Sequence, residues 1–290
     1  MISAIECVML TLDELEPGLQ GLRALLGLQV ARETHASVGL LSAWRHPVHE
    51  SVRLVELEAT RPGVGRLRLA RFEDSPAARY PVVSALPDDA IGPRLIDLRA
   101  GPPTLQLQGA LLAPGGLPVV GEAPSGHAAE RRDARSRRES VAWVWIRRGS
   151  EAHRAQRFYA EVLGLATVPV ASVQAPCPAP LAPLLGLAPQ APIRLSAYAP
   201  AHAPHGGVIL YDSPAAPSRE RPPRRLTEPG ISLLSCRCTD LDELIERLQP
   251  LGIEPMAAPS HVGLPHGQPG RVMVVLGPSE ERLELVETAD

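Results

Sequence analysis

Two pairs of histidines stand in loop-like sequence just ahead of strand-like runs. His202 and His205 lie in HAPHGG before GVILYD, and His261 and His266 lie in SHVGLPHGQPG before RVMVVL. Imidazole exchanges protons near neutral pH without special help, so His205 and His266 are candidates for a general base or acid. Exposed loop histidines are also common without any role. Trp143 and Trp145 alternate in SVAWVWI and so point to one face of a strand. They are core filling or the wall of a small-molecule pocket, and Tyr198 and Tyr211 on later strands extend that wall. Cys236 and Cys238 also share one strand face, but two thiols without further ligands are the mark of a buried core. His46 and His49 in WRHPVHE read as turn residues.

Composition removes other chemistries. All 29 basic residues are arginine, because the chain has no lysine, and it has no asparagine either. Schiff-base catalysis and a Walker-type phosphate loop both need lysine. No GxSxG elbow and no GxGxxG fingerprint occurs. The net charge of −3 gives no field for polyanions, and 3% aromatic residues leave few stacking surfaces, so nucleic acid is not an expected partner. No apolar run reaches membrane-spanning length, and MISAIECVML lacks the basic start of a signal peptide. The four cysteines form no disulfide framework and are expected to be reduced thiols of a cytoplasmic protein. The expected partner is a small molecule, and the expected state a monomer or homodimer.

The elements that must carry these residues repeat along the chain. RFYAEVLGL (157–165) ends in Leu-Gly-Leu, where a left-handed glycine closes a helix and the next apolar residue folds back. The strand-like SVAWVWI precedes it. The same strand, helix, strand order recurs in IECVMLTL with DELEPGLQGLRALLGL (5–28) and in ISLLSCRCT with DLDELIERLQPLGI (231–253). Asp13, Ser150 and Asp240 stand where helix N-caps belong. Further strands are expected at 52–59 and 65–72, at 193–199 and 207–212, and at 271–276 and 282–287. Residues 85–122 hold an eroded copy with RLIDLRA and TLQLQGALL as strands. The Pro-rich run QAPCPAPLAPLLGLAPQAP (174–192) predicts a long loop or a lid over a pocket.

On FYAEVLGL, DLDELIERLQPLGI and the ending GPSEERLELVE (277–287), the chain resembles the vicinal oxygen chelate superfamily, which includes glyoxalase I, extradiol dioxygenases and bleomycin-resistance proteins. The resemblance implies an α+β fold of βαβββ units paired into cup-shaped sheets around a small-molecule site. With it, the expected domains are 1–122, whose second unit is degenerate, a linker at 123–139, and 140–290. Residues 140–290 are expected to form one sheet and 1–122 a similar, degraded one. The family's ending, Asp-Pro-x-Gly-Asn-x-x-Glu-Leu-x-Glu, places its metal-binding glutamate on Glu284. The first-strand ligand positions fall on Glu6, Trp143 and Leu233, of which the last two cannot coordinate a metal. No cofactor is therefore expected; were one bound, it would be a divalent iron, zinc, manganese or nickel ion. The leading expectation is a metal-independent isomerase or lyase with Glu284, His266 or His205 as base, in a C-terminal pocket walled by Trp143, Trp145, Tyr198, Tyr211 and Leu233. The alternatives are a resistance-type protein that sequesters a hydrophobic or aromatic compound without turnover, and a metal-dependent dioxygenase or lyase. Glu284 alternates with Leu283 and Leu285, so the carboxylate faces away from the leucines.

Overall fold

The computed structural model describes residues 2–26, 28–58, 66–73, 92–97, 111–112, 119–122, 143–149, 151–170, 174–201, 206–218, 225–263 and 269–288. The first unit is β1 (Ile2–Thr11), α1 (Leu15–Leu26), β2 (Gln29–His35), α2 (Val38–Ala43), β3 (Val52–Glu58) and β4 (Arg66–Phe72). The eroded unit contributes β5 (Gly92–Asp97), β6 (Leu111–Leu112) and β7 (Val119–Glu122). The third unit is β8 (Trp143–Arg147), α3 (Ala152–Gln156), β9 (Ala166–Val168), β10 (Gln174–Pro176), β11 (Pro192–Ala199) and β12 (Gly207–Asp212). The last is β13 (Gly230–Cys238), α4 (Leu241–Leu248), β14 (Ser260–Gly263), β15 (Pro269–Leu276) and β16 (Arg282–Thr288). The fold is α+β, with two strongly curled mixed sheets.

Local sequence explains most boundaries. Asp240 caps α4, its carboxylate accepting from the N–H groups of Asp242 and Glu243 at 2.9 Å each. Gly164 (φ 73) and Gly252 (φ 64) close the helices of the third and last units, as their Leu-Gly endings predict. Ser150 and Gly27 lie outside the described residues. Two local features differ from expectation. RFYAEV (157–162) is a π-helix, a widened turn that brings both Phe158 and Tyr159 to the core. Helix α2, capped by Ser37, stands just before WRHPVHE, where no helix was expected.

The pairing of the units also differs. The first sheet runs β14-β15-β16-β13-β1-β4-β3-β2, and the second runs β10-β11-β12-β8-β5-β7-β6. The first unit therefore pairs with the last, and the eroded unit with the third. The expected division into 1–122 and 140–290 separates two stretches of chain but not two sheets. β1 and β13 are both long and buried along most of their length, and they pair antiparallel with Val8 opposite Leu234. Their outer faces, with those of β8 and β12, meet α1, α3 and α4 in one shared core that includes Val8, Leu10, Val144, Ile146, Leu234 and Leu285. Each inner face forms a separate cup. No described helix is long and apolar enough to cross a membrane.

A buried carboxylate fastens the third unit to the last hairpin. The Tyr159 hydroxyl donates to Glu281 Oε1 at 2.5 Å, and the Ser279 N–H donates to Oε2 at 2.8 Å. A side chain at Gly277 would displace this carboxylate, since a Cβ there would stand 2.0 Å from Glu281 Oε1. Glu280, at the glycine position of the family ending, has φ 63. Burial pushes the Glu281 carboxyl up from 4.5 to about 7, against the opposing hydrogen bond from Tyr159.

Two predictions test this architecture. Chains 1–139 and 140–290 made separately each lack a central pairing strand, so neither alone should unfold cooperatively in urea, and mixing them should restore the transition. Cooperative unfolding of isolated 140–290 would refute the pairing. For Glu281, the folded state holds its proton more tightly than the unfolded one. Its contribution is therefore complete below pH 4.5 and is lost as pH rises through about 7. Glu281→Gln should flatten that slope, gaining up to roughly 3 kcal/mol over the native chain above neutral pH, as read from urea midpoints.

Candidate functional site

The centre of the first cup is set by the β1–β13 register. Symmetry about Val8–Leu234 relates Met9 to Ser235 and Cys7 to Leu233. Through the parallel neighbours β4 and β16, it relates Arg68, beside Met9, to Glu284, beside Ser235. Leu283 and Leu285 lie in the shared core, and Glu284 faces the cup. Its carboxylate is 1% exposed and held from three sides. Trp44 Nε1 donates to Oε1 at 2.7 Å, Ser235 Oγ to Oε2 at 2.5 Å, and Arg68 Nη1 to Oε2 at 3.3 Å. Arg68 also reaches Glu56 at 3.3 Å, and Arg66 reaches Glu56 at 3.5 Å. Burial opposes the Arg68 charge, but the carboxylates of Glu284 and Glu56 outweigh it and its pKa is raised. Around it lies an apolar cluster in which Met9, Leu54, Phe72, Leu233 and Val274 meet Leu41 and Trp44 from α2 and its cap.

This donor set does not fit a divalent metal. Of the six central positions, Glu284 alone is an anionic ligand, and its oxygens already accept from protein donors. Burial pushes the Cys7 thiol up to about 12, far from a thiolate. Met9 and Leu233 offer no hard donor, and Arg68 places a positive charge 3.3 Å from the Glu284 oxygen that a cation would need. Glu6 pairs with Arg237 at 2.9 Å instead. Among the described residues, no three His, Cys, Asp or Glu side chains converge.

The second cup holds the aromatic wall. Trp143, Trp145 and Tyr211 face it with Leu95, Ile193, Leu195 and Ile209, and the rings of Trp145 and Tyr211 meet edge to face at 6.2 Å. The Pro-rich segment after β10 does not arch over this cup but enters it, burying Cys177, Leu181, Leu185 and Leu187. Arg147, one step along from Trp145 on the same face, is fully buried. Neither its burial nor its alignment with the tryptophans was taken from WVWIR, although strand alternation contains that signal.

The expected single pocket is thus divided. Glu284 and Leu233 belong to the first cup, and Trp143, Trp145 and Tyr211 to the second. Tyr198 belongs to neither. Leu195, Ala197 and Ala199 take the cup face of β11, so Tyr198 faces the shared core and stacks on Tyr159 at 5.6 Å. His202, His205 and His266 lie outside the described residues, and His261 is exposed on β14. Trp44 and Arg68 were missed because nothing local links them to residues 240 and 216 positions away in sequence.

This arrangement of paired βαβββ units curled into cups is shared with solved structures. Glyoxalase I from Zea mays is similar over 99% of this chain and 92% of its own, with TM-score 0.53 and 11% identity. A putative dioxygenase from Bacillus subtilis is similar over 100% of this chain and 87% of its own, with TM-score 0.56 and 9% identity. No family model matches the sequence, and no curated protein matches it significantly.

Glu284 is expected to act on stability. Glu284→Gln leaves Arg68 with less compensation in a buried site and should cost roughly 2–4 kcal/mol in urea unfolding. Added zinc, nickel, manganese or iron should leave the thermal midpoint unchanged. A stoichiometric midpoint rise that Glu284→Gln abolishes would show a metal at this site.

Proposed function

We propose that this chain binds a hydrophobic or aromatic small molecule in the second cup, without a metal and without turnover. One observation carries the reading. The aromatic wall of Trp143, Trp145 and Tyr211 lies in one cup, while the carboxylate that would serve as base lies in the other, consumed by Trp44, Ser235 and Arg68. A general base needs a lone pair directed at substrate and a path to it, and Glu284 is 1% exposed. An apolar cup with a few polar groups suits binding. The fold is shared with proteins named glyoxalase I and putative dioxygenase, and fold alone does not carry activity across.

A second reading rests on the crowding of Glu284, Arg68, Glu56, Arg66 and Cys7 at the centre of the first sheet. There the chain is a metal-independent isomerase or lyase, with Glu284 or the histidines His205 and His266 moving the proton.

The two readings separate by experiment. A panel of aromatic and branched aliphatic compounds is screened by native mass spectrometry, and each bound compound is recovered after long incubation. The expected result is a one-to-one complex with the compound unchanged. At a hundredfold excess over Kd it should be stabilised by about 2.7 kcal/mol. Consumption of the compound, lost in Glu284→Gln or in a His205→Gln/His266→Gln variant, would establish the second reading instead.

A further inference from the structure

The segment between β10 and β11 is a closed lobe rather than part of the sheet. Its neck is a pair of backbone bonds at 2.9 Å, from Cys177 N–H to Ala191 O and from Gln190 N–H to Cys177 O. Gln190, at the neck, has φ 62, a conformation that costs a non-glycine residue energy. Every described backbone bond of residues 178–189 ends on another residue of the lobe or its neck. What holds the lobe in the cup is side-chain packing of Leu181, Leu185 and Leu187, with two donors on the sheet. The Tyr211 hydroxyl donates to Leu185 O at 2.7 Å, and Arg147 Nη1 donates to Gly186 O at 3.2 Å. Gly186 (φ 65) ends a short 3-10 turn (Pro183–Leu185), so both carbonyls belong to the turn's C-terminal end. The remaining Arg147 nitrogens reach Ala216 O at 2.5 Å and Ser218 Oγ at 3.4 Å.

We propose that the second cup is a binding site for a hydrophobic carboxylic acid, and that the lobe fills it when no ligand is present. The proposal rests on the reading that this cup binds a small molecule. The Leu185 and Gly186 oxygens stand for the two oxygens of a carboxylate, and the three leucines for its apolar body. Arg147 carries only donors, so its partner must be an acceptor. A carboxylate makes bonds to guanidinium and phenol roughly twice as strong as those of a neutral carbonyl, with one oxygen on Arg147 Nη1 and the other on the Tyr211 hydroxyl. An aromatic or branched body would meet the edges and faces of Trp143, Trp145 and Tyr211. Release of the lobe breaks no described backbone ladder, and the neck provides the hinge. The ligand competes with the lobe, so apparent affinity is lowered by the fraction of chains in which the lobe is in place.

The test compares 4-phenylbutyrate with its uncharged amide, by tryptophan fluorescence and calorimetry. It uses the intact chain, a chain in which residues 178–189 are replaced by a short Gly-Ser turn, and that shortened chain with Tyr211→Phe. The acid is expected to bind the intact chain at least about tenfold tighter than the amide, and the shortened chain at least about tenfold tighter than the intact one. In the shortened chain, where no lobe competes, adding Tyr211→Phe should lower the affinity for the acid more than that for the amide. Equal affinity for acid and amide would overturn the carboxylate site while leaving a neutral-ligand cup standing. A shortened chain that folds, by circular dichroism, but binds neither compound would overturn the proposal together with the reading beneath it. A shortened chain that fails to fold would show the lobe to be core and would likewise overturn it.

Discussion

The antiparallel pairing of β1 with β13 is the contact on which the rest of this molecule depends. It joins the first and last quarters of the chain and places Val8 against Leu234 at the middle of the first sheet. Both strands are buried along most of their length, so either one left at an edge would strand unpaired backbone groups. Pairing removes both edges at once. It also fixes the outer faces of the two sheets around the same helices, which is why the largest core contains residues from the first, third and last units and from β5. Long-range closure of this kind is entropically slow to form, and once formed it is cooperative.

The same pairing decides the electrostatics of the first cup. It brings Arg68 to Glu284 and lets Trp44 reach the same carboxylate. A lone buried carboxylate is costly, and the sheet has two ways to neutralise it: a cation from solution or a cation from the chain. Here the chain supplies it from the symmetry-related strand. A guanidinium occupies far more space than a metal ion and directs its donors in one plane. The site is therefore tied to one geometry, in which Ser235 and Trp44 fill the remaining acceptor directions of the carboxylate. The apolar neighbours Met9 and Leu233 keep water away and strengthen each of these bonds.

Much of this fold was legible in the sequence because it is local. Alternating apolar runs marked the strands, Asp240 marked a helix start, and Leu-Gly marked two helix ends. What was not legible depends on distance. Period-2 alternation showed that Glu284 and its flanking leucines diverge, but not which unit's sheet would face the carboxylate. Tyr198 and Tyr211 look alike in isolation. Only the β11–β12 register, with Leu195 opposite Tyr211, shows that they point to opposite faces. Glu281 carried no local signal at all, since its environment is made by a π-helix more than a hundred residues earlier, whose widened turn carries Tyr159. Helix α2 is six residues long, too short for periodicity to register.

The two cups are filled from the same place in their units. Helix α2 lies between the second and third strands of the first unit, and the Leu-rich lobe lies in the matching connection of the third, just before β11. Each enters the cup of its own sheet, but the polarity of contact is reversed. In the first cup the sheet presents an acceptor, Glu284, and the filling segment presents a donor, the Trp44 indole N–H. In the second cup the sheet presents donors, Arg147 and Tyr211, and the filling segment presents backbone carbonyls. An indole on a packed helix and a carboxylate locked by an arginine leave little reason for exchange. The Gly186 carbonyl against Arg147 and the Leu185 carbonyl against Tyr211 are weaker acceptors than the oxygens of an anion would be. Of two cups built on one plan, the second is the one whose filling a ligand can outcompete.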